Sequence, residues 1–130
     1  MKDVIEISSS LLKKWQGRLQ LNDWDIQISF VDTEKMKEVV GADVEGSVLY
    51  EIYKQTATIH ILDSVSDVRY EEIIVHELLH IVFGWETRHY ANILTSTFDE
   101  DNALLISDFR KDYMERIIHQ ITSALLRERL

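Results

Sequence analysis

Cysteine and proline are both absent from these 130 residues, and glycine occurs four times. The lack of cysteine removes disulfides, cysteine-ligated zinc, iron–sulfur clusters and thiol nucleophiles together. It is compatible with a reducing compartment without requiring one. No stretch approaches the ~20 apolar residues of a membrane span. The first residues, Met1-Lys2-Asp3-Val4-Ile5-Glu6, carry no apolar segment of a secretion signal. A soluble, cytoplasmic protein with no membrane partner is therefore expected. Cations are scarce as well, 14 Lys and Arg against 23 Asp and Glu, for a net charge of -9. They are scattered among acids, as at Lys13-Lys14, Lys35, Lys37, Arg110-Lys111, Arg127 and Arg129, among others. No basic patch answers to a phosphate backbone, so no nucleic-acid partner is expected.

What is present is a chain that is 45% apolar, long enough to bury roughly two-thirds of its unfolded surface without covalent staples. No repeat and no Pro, Gly or Ser-rich linker divides it, so residues 1–130 read as one domain, with the glycines as local punctuation. Ser8-Ser9-Ser10 offers an N-cap for a helix whose Leu11, Leu12, Trp15 and Leu19 mark one apolar face. Trp24, Ile26, Ile28 and Phe30 alternate with polar residues as a half-buried strand does. Thr33 to Val40 reads as a short helix ending near Gly41. Ser47 to Tyr53 and Thr56 to Leu62 read as strands of a hairpin turning at Lys54-Gln55. A long helix follows, from a cap at Ser66 or Asp67 to about Gly84, with Glu71 and Glu72 in its early turns. After a polar, mixed segment comes a last helix over Asn102 to Arg127. Its Ile106, Phe109, Tyr113, Ile117, Ile121 and Leu125 recur at spacings of three and four.

The middle helix carries His76-Glu77-Leu78-Leu79-His80. Two histidines four apart share a helical face, with Cβ atoms roughly 6 Å apart, so both imidazoles reach one ion. Glu77, beside the first of them, is placed to accept a proton from a metal-bound water. This is the HExxH zinc pattern. With 5 His and 12 Glu in the chain, a random order of the same residues produces it in roughly 2% of sequences. The flanking Ile73, Ile74, Val75, Leu78, Leu79, Ile81, Val82 and Phe83 make this helix largely buried, where polar side chains are costly without partners. A catalytic zinc site needs a third protein ligand and an open position for water. Without cysteine that ligand is His or a carboxylate. Glu115 stands at the border of the last helix's apolar arc, one turn from Ile118, and is the preferred candidate. Glu86, Asp99, Glu100 and Asp101 are the alternatives.

These residues resemble a zincin metallopeptidase of gluzincin type, in particular the small single-domain bacterial and phage proteins grouped with minigluzincins and the ImmA/IrrE family. The likeness is carried by His76 to His80, by the preceding strand Thr56-Ala57-Thr58-Ile59-His60-Ile61-Leu62, and by the helix that Glu115 opens, Glu115 to Leu126. Leu21-Asn22-Asp23-Trp24-Asp25-Ile26 resembles the approach to the first strand in these proteins. The chain departs from the ImmA/IrrE pattern in having Arg116-Ile117 where Ala-Asn is favoured. In metzincins the third ligand falls where Glu86 stands, but they carry a glycine three residues after the second His, where this chain has Phe83.

The resemblance implies an α+β, small zincin-like domain with an N-terminal helix, a three-to-four-stranded mainly antiparallel sheet packed on the HExxH helix, and a long C-terminal helix. It implies Zn2+ held by His76, His80 and Glu115. It further implies peptide hydrolysis by a metal-activated water with Glu77 as general base. A protein or peptide substrate would lie along strand Thr56 to Leu62 by main-chain hydrogen bonds. His89, Tyr90, Tyr113 and His119 are candidate oxyanion donors, with Tyr113 also fitting the apolar stripe. His60 reads as structural or cleft-lining. Two other readings stay open. One is a zinc-binding regulatory or interaction module that does not cleave. The other is a YbeY-type metal-dependent endoribonuclease, whose signature resembles residues 76–86 but has a glycine and a histidine where this chain has Glu77 and Glu86.

Overall fold

The computed structural model describes residues 3–127; Met1, Lys2 and residues 128–130, Arg129 among them, lie outside the described residues. Among the described residues the architecture is α+β, with five α-helices and a three-stranded sheet. The chain divides into two compact units, Met1–Leu78 and Leu79–Leu130.

In the first unit, helix α1 (Val4–Arg18) is capped by Asp3, whose carboxylate accepts from the Ile5 N–H at 3.2 Å. The helix therefore begins ahead of the serines expected to cap it. Ser8 is buried inside it and its hydroxyl donates to the Ile5 carbonyl at 3.1 Å, the local bond by which serine is accommodated within a helix. Strand β1 (Asp25–Val31) leads to α2 (Thr33–Val40), where Asp32 caps the start and Gly41, at φ 78°, supplies the left-handed residue that ends it. Strands β2 (Gly46–Glu51) and β3 (Thr56–Leu62) form the hairpin. Its connection is the four residues 52–55 rather than Lys54-Gln55 alone, because Ile52 turns into the core and Gln55 closes the loop with φ 54°.

The sheet order is β1-β3-β2, with β1 parallel to β3 and β2 antiparallel to it. The sheet is thus mixed, not mainly antiparallel: the chain runs through α2 between β1 and the hairpin, the kind of crossover that parallel pairing needs. A second correction concerns β3. It is central and its main chain is bonded on both sides, so a peptide has no ladder to join along Thr56–Leu62. The edges of the sheet are β1 and β2.

Registration places Ile26, Ile28 and Phe30 of β1 beside Ala57, Ile59 and Ile61 of β3 and Gly46, Val48 and Tyr50 of β2 on one face. After a single 3-10 turn at Asp67–Arg69, helix α3 (Tyr70–Val82) lies against that face. The Tyr70 ring sits 5.3 Å from that of Phe30, and Ile73 meets Gly46. Helix α1 fastens the start of α3. The Glu71 carboxylate, in the first turn of α3 and only 5% exposed, accepts from Trp15 Nε1 at 2.7 Å and from Lys14 Nζ at 3.0 Å.

In the second unit the polar, mixed segment that precedes the last helix is itself helical. Helix α4 (Gly84–Thr97) begins as soon as α3 ends, with Gly84 and Leu94 its buried residues. Its polarity marks exposure, not loss of helix, and no proline or internal glycine interrupts it. Helix α5 (Glu100–Arg127) has 28 residues. It buries Ala103, Ile118 and Thr122, and leaves Phe109 and Tyr113 72% and 64% exposed. The stripe read as its core is thus covered only in part: Ile106, Ile117, Ile121 and Leu125 are half-buried, while Phe109 and Tyr113 are exposed. Each i,i+4 step advances about 40° beyond a full turn, so the line from Phe109 to Leu125 winds around the helix rather than following one face.

Candidate metal centre

His76 and His80 stand one turn apart on α3. Both are half-buried. His80 Nε2 lies 2.7 Å from Glu115 Oε1 on α5, within the second unit. Among the described residues, His76, His80 and Glu115 form a group in which each offers one ligand atom within 4.8 Å of the others. Two imidazole nitrogens and one carboxylate oxygen, with no sulfur, are the donors of catalytic rather than structural zinc sites. Bonds of about 2.0–2.1 Å around a tetrahedral ion separate ligand atoms by about 3.3 Å. An ion would thus replace the His80–Glu115 hydrogen bond and part the two atoms by a few tenths of an ångström. Glu115, with its side chain 53% exposed, has room to move. The three residues could hold a metal ion.

Glu77 follows His76 on α3. It is buried, at 7% exposure, and its Oε2 lies 3.7 Å from where a Cβ on Gly46 would be, at the start of β2.

The other carboxylates considered as ligands are engaged differently. Glu86, in the first turn of α4, forms an ion pair with Arg110 of α5. Asp99 accepts from the Asn102 N–H at 2.8 Å and from Asn102 Nδ2 at 3.0 Å, capping α5. Glu100 and Asp101 are exposed in the first turn of that helix. Of the expected oxyanion donors, Tyr90 lies under the Arg110 guanidinium, 4.6 Å from ring centre to cation. His89, Tyr113 and His119 are exposed, and His119 stands one turn beyond Glu115 on α5. His60 is on the sheet face opposite α3, in register between Ser29 and Ser47. Its Nδ1 is buried with no hydrogen-bond partner. Burial, and then the charge of Lys35 on α2, hold its imidazole below the ordinary value.

No protein-family model, no curated protein and no solved structure matches this chain. Gly46 is the one site-adjacent residue that sequence reasoning passed over. Its signal was a glycine against a run of strand-forming residues, a position where another element often approaches the backbone closely.

Proposed function

We propose that this chain is a zinc-dependent peptidase of zincin type. The observation that carries the reading is the gathering of His76, His80 and Glu115 within 4.8 Å, with the buried Glu77 on the same helix. A zinc ion held by the three ligands would supply Lewis acidity, polarising a peptide carbonyl and making water more acidic. The protein supplies the proton traffic. Glu77 accepts a proton at its carboxylate from the water that attacks the carbonyl carbon. As the C–N bond breaks, it delivers that proton to the departing amine nitrogen. Burial keeps bulk water from competing for the same carboxylate.

The edge strand supplies the place for a substrate. The Leu62 N–H donates to the Glu45 carbonyl at 2.8 Å, and the alternation of an antiparallel ladder then turns the main-chain groups of Gly46 and Val48 away from β3. An extended peptide laid against β2 bonds to those groups and passes beside Glu77. Cleavage of a peptide library by the zinc-loaded protein tests the reading. Wild type should cut, and Glu77→Gln should cut at least ~100-fold more slowly, the usual weight of a general base. Cleavage undiminished in Glu77→Gln, or none by a zinc-loaded wild type, would overturn it.

A further inference from the structure

Gly46 opens β2 with no positive φ to explain a glycine; Gly41 is the glycine with that requirement. The reason is the neighbour. A Cβ built on Gly46 would lie 2.4 Å from Ile73 Cγ2, 3.7 Å from Glu77 Oε2 and 3.7 Å from the His60 carbonyl oxygen. Carbon atoms in contact settle at about 3.5–4.0 Å, so a methyl group there must drive the strand and the helix apart by roughly 1 Å. Ile73 cannot yield by turning aside. It is buried, and Cγ2 is attached directly to Cβ of a branched side chain, which a helix holds to one dominant χ1 rotamer. Ile73 and Glu77 are four apart on α3, so they present to the same side. The backbone of Gly46 therefore rests on Ile73 with the Glu77 carboxylate beside it.

We infer that Gly46 is a positioning residue for Glu77: the missing side chain lets β2 seat on α3, and that seating holds the Glu77 carboxylate buried and in place. The inference rests on the peptidase reading for its catalytic consequence, although the positional claim stands without it. A displacement of about 1 Å at a reacting group is enough to lower a rate by ~100-fold.

Gly46→Ala, Ile73→Ala and the double variant separate the possibilities. The direct readout uses metal-free protein and no substrate: carbodiimide coupling of glycine ethyl ester to carboxylates, with Glu77 followed by peptide mass mapping. Glu77 should label slowly in wild type and at least several-fold faster in Gly46→Ala. In an Ile73→Ala background, where Cγ2 is gone, adding Gly46→Ala should change the rate little. In parallel, Gly46→Ala should keep one zinc per chain and lose ~10–100-fold in kcat with little change in KM. Equal labelling of Glu77 in wild type and Gly46→Ala overturns the inference. So does an effect of Gly46→Ala that is as large with Ile73→Ala as without it, whether on labelling, zinc content or folding. If labelling follows the expected pattern but no variant cleaves peptides, the positional claim holds and the peptidase reading fails.

Discussion

Replacing Trp15 with phenylalanine should loosen the start of the HExxH helix, because the indole is one of the groups that fasten it. Trp15 is almost fully buried, and its Nε1 donates at 2.7 Å to the Glu71 carboxylate, itself 5% exposed in the first turn of α3. A hydrogen bond to a charged group contributes about 1.5–3 kcal/mol, and a buried carboxylate that loses a donor bears a desolvation cost as well. With the smaller ring added, Trp15→Phe should cost ~2–4 kcal/mol. For a chain of this length that lowers Tm by roughly 10 °C. Lys14 donates to the same oxygen at 3.0 Å, but its side chain is 37% exposed. Solvent screening holds the loss in Lys14→Met to about 0.5–1 kcal/mol. Urea unfolding of the metal-free protein, followed by far-UV circular dichroism, gives the double-mutant cycle of Trp15→Phe with Glu71→Ala. Once Glu71 is gone, Trp15→Phe no longer takes a donor from a buried carboxylate, so the coupling energy should be about 1.5–3 kcal/mol. A coupling below ~0.5 kcal/mol would refute the fastening of α1 to α3 through this bond.

Other consequences follow from burial and charge. On α5, Ile118→Ala should cost about 2–5 kcal/mol, since Ile118 is fully buried. Phe109→Ser should stay within about 0.5 kcal/mol, because Phe109 is 72% exposed. Equal losses in urea unfolding would reverse the assignment of the helix's faces. The lowered pKa of His60, caused by burial and then by Lys35, gives a direction to pH dependence. Below about pH 6.5 the unfolded chain takes up a proton that the folded chain resists. Stability should therefore decline as pH falls through that value and stop declining once the folded imidazole is itself protonated. His60→Gln should flatten this slope, and an unchanged slope would remove His60 as its source.

Local chemistry made part of this molecule legible in its sequence. Helix α2 is bracketed by an aspartate that caps it and a glycine that ends it, and β3 alternates cleanly, so both were readable within their own residues. The start of α1 was misplaced because three serines outweighed one aspartate, although Asp3 stands where the helix dipole favours a negative charge. Strand order was not legible: which strand becomes central depends on pairing across the chain, and alternation is the same for an edge strand and an inner one. The buried side of α5 escaped for a similar reason, since periodicity reveals a helix but packing selects its face. His76, Glu77 and His80 form a local pattern. The nearness of Glu115 to His80 depends on where α5 lies, and no residue beside Glu115 announces it. Gly46 was hidden because its partner, Ile73, lies on another element.

Zinc binding tests the central claim most directly, by metal analysis and competitive titration of wild type, Glu115→Ala and Glu86→Ala at equal protein concentration. The account predicts one zinc per chain in wild type and in Glu86→Ala, and a loss of at least ~100-fold in affinity for Glu115→Ala, as expected when one of three protein ligands is removed. A wild type that holds no stoichiometric zinc would contradict it, as would Glu115→Ala retaining zinc while Glu86→Ala loses it.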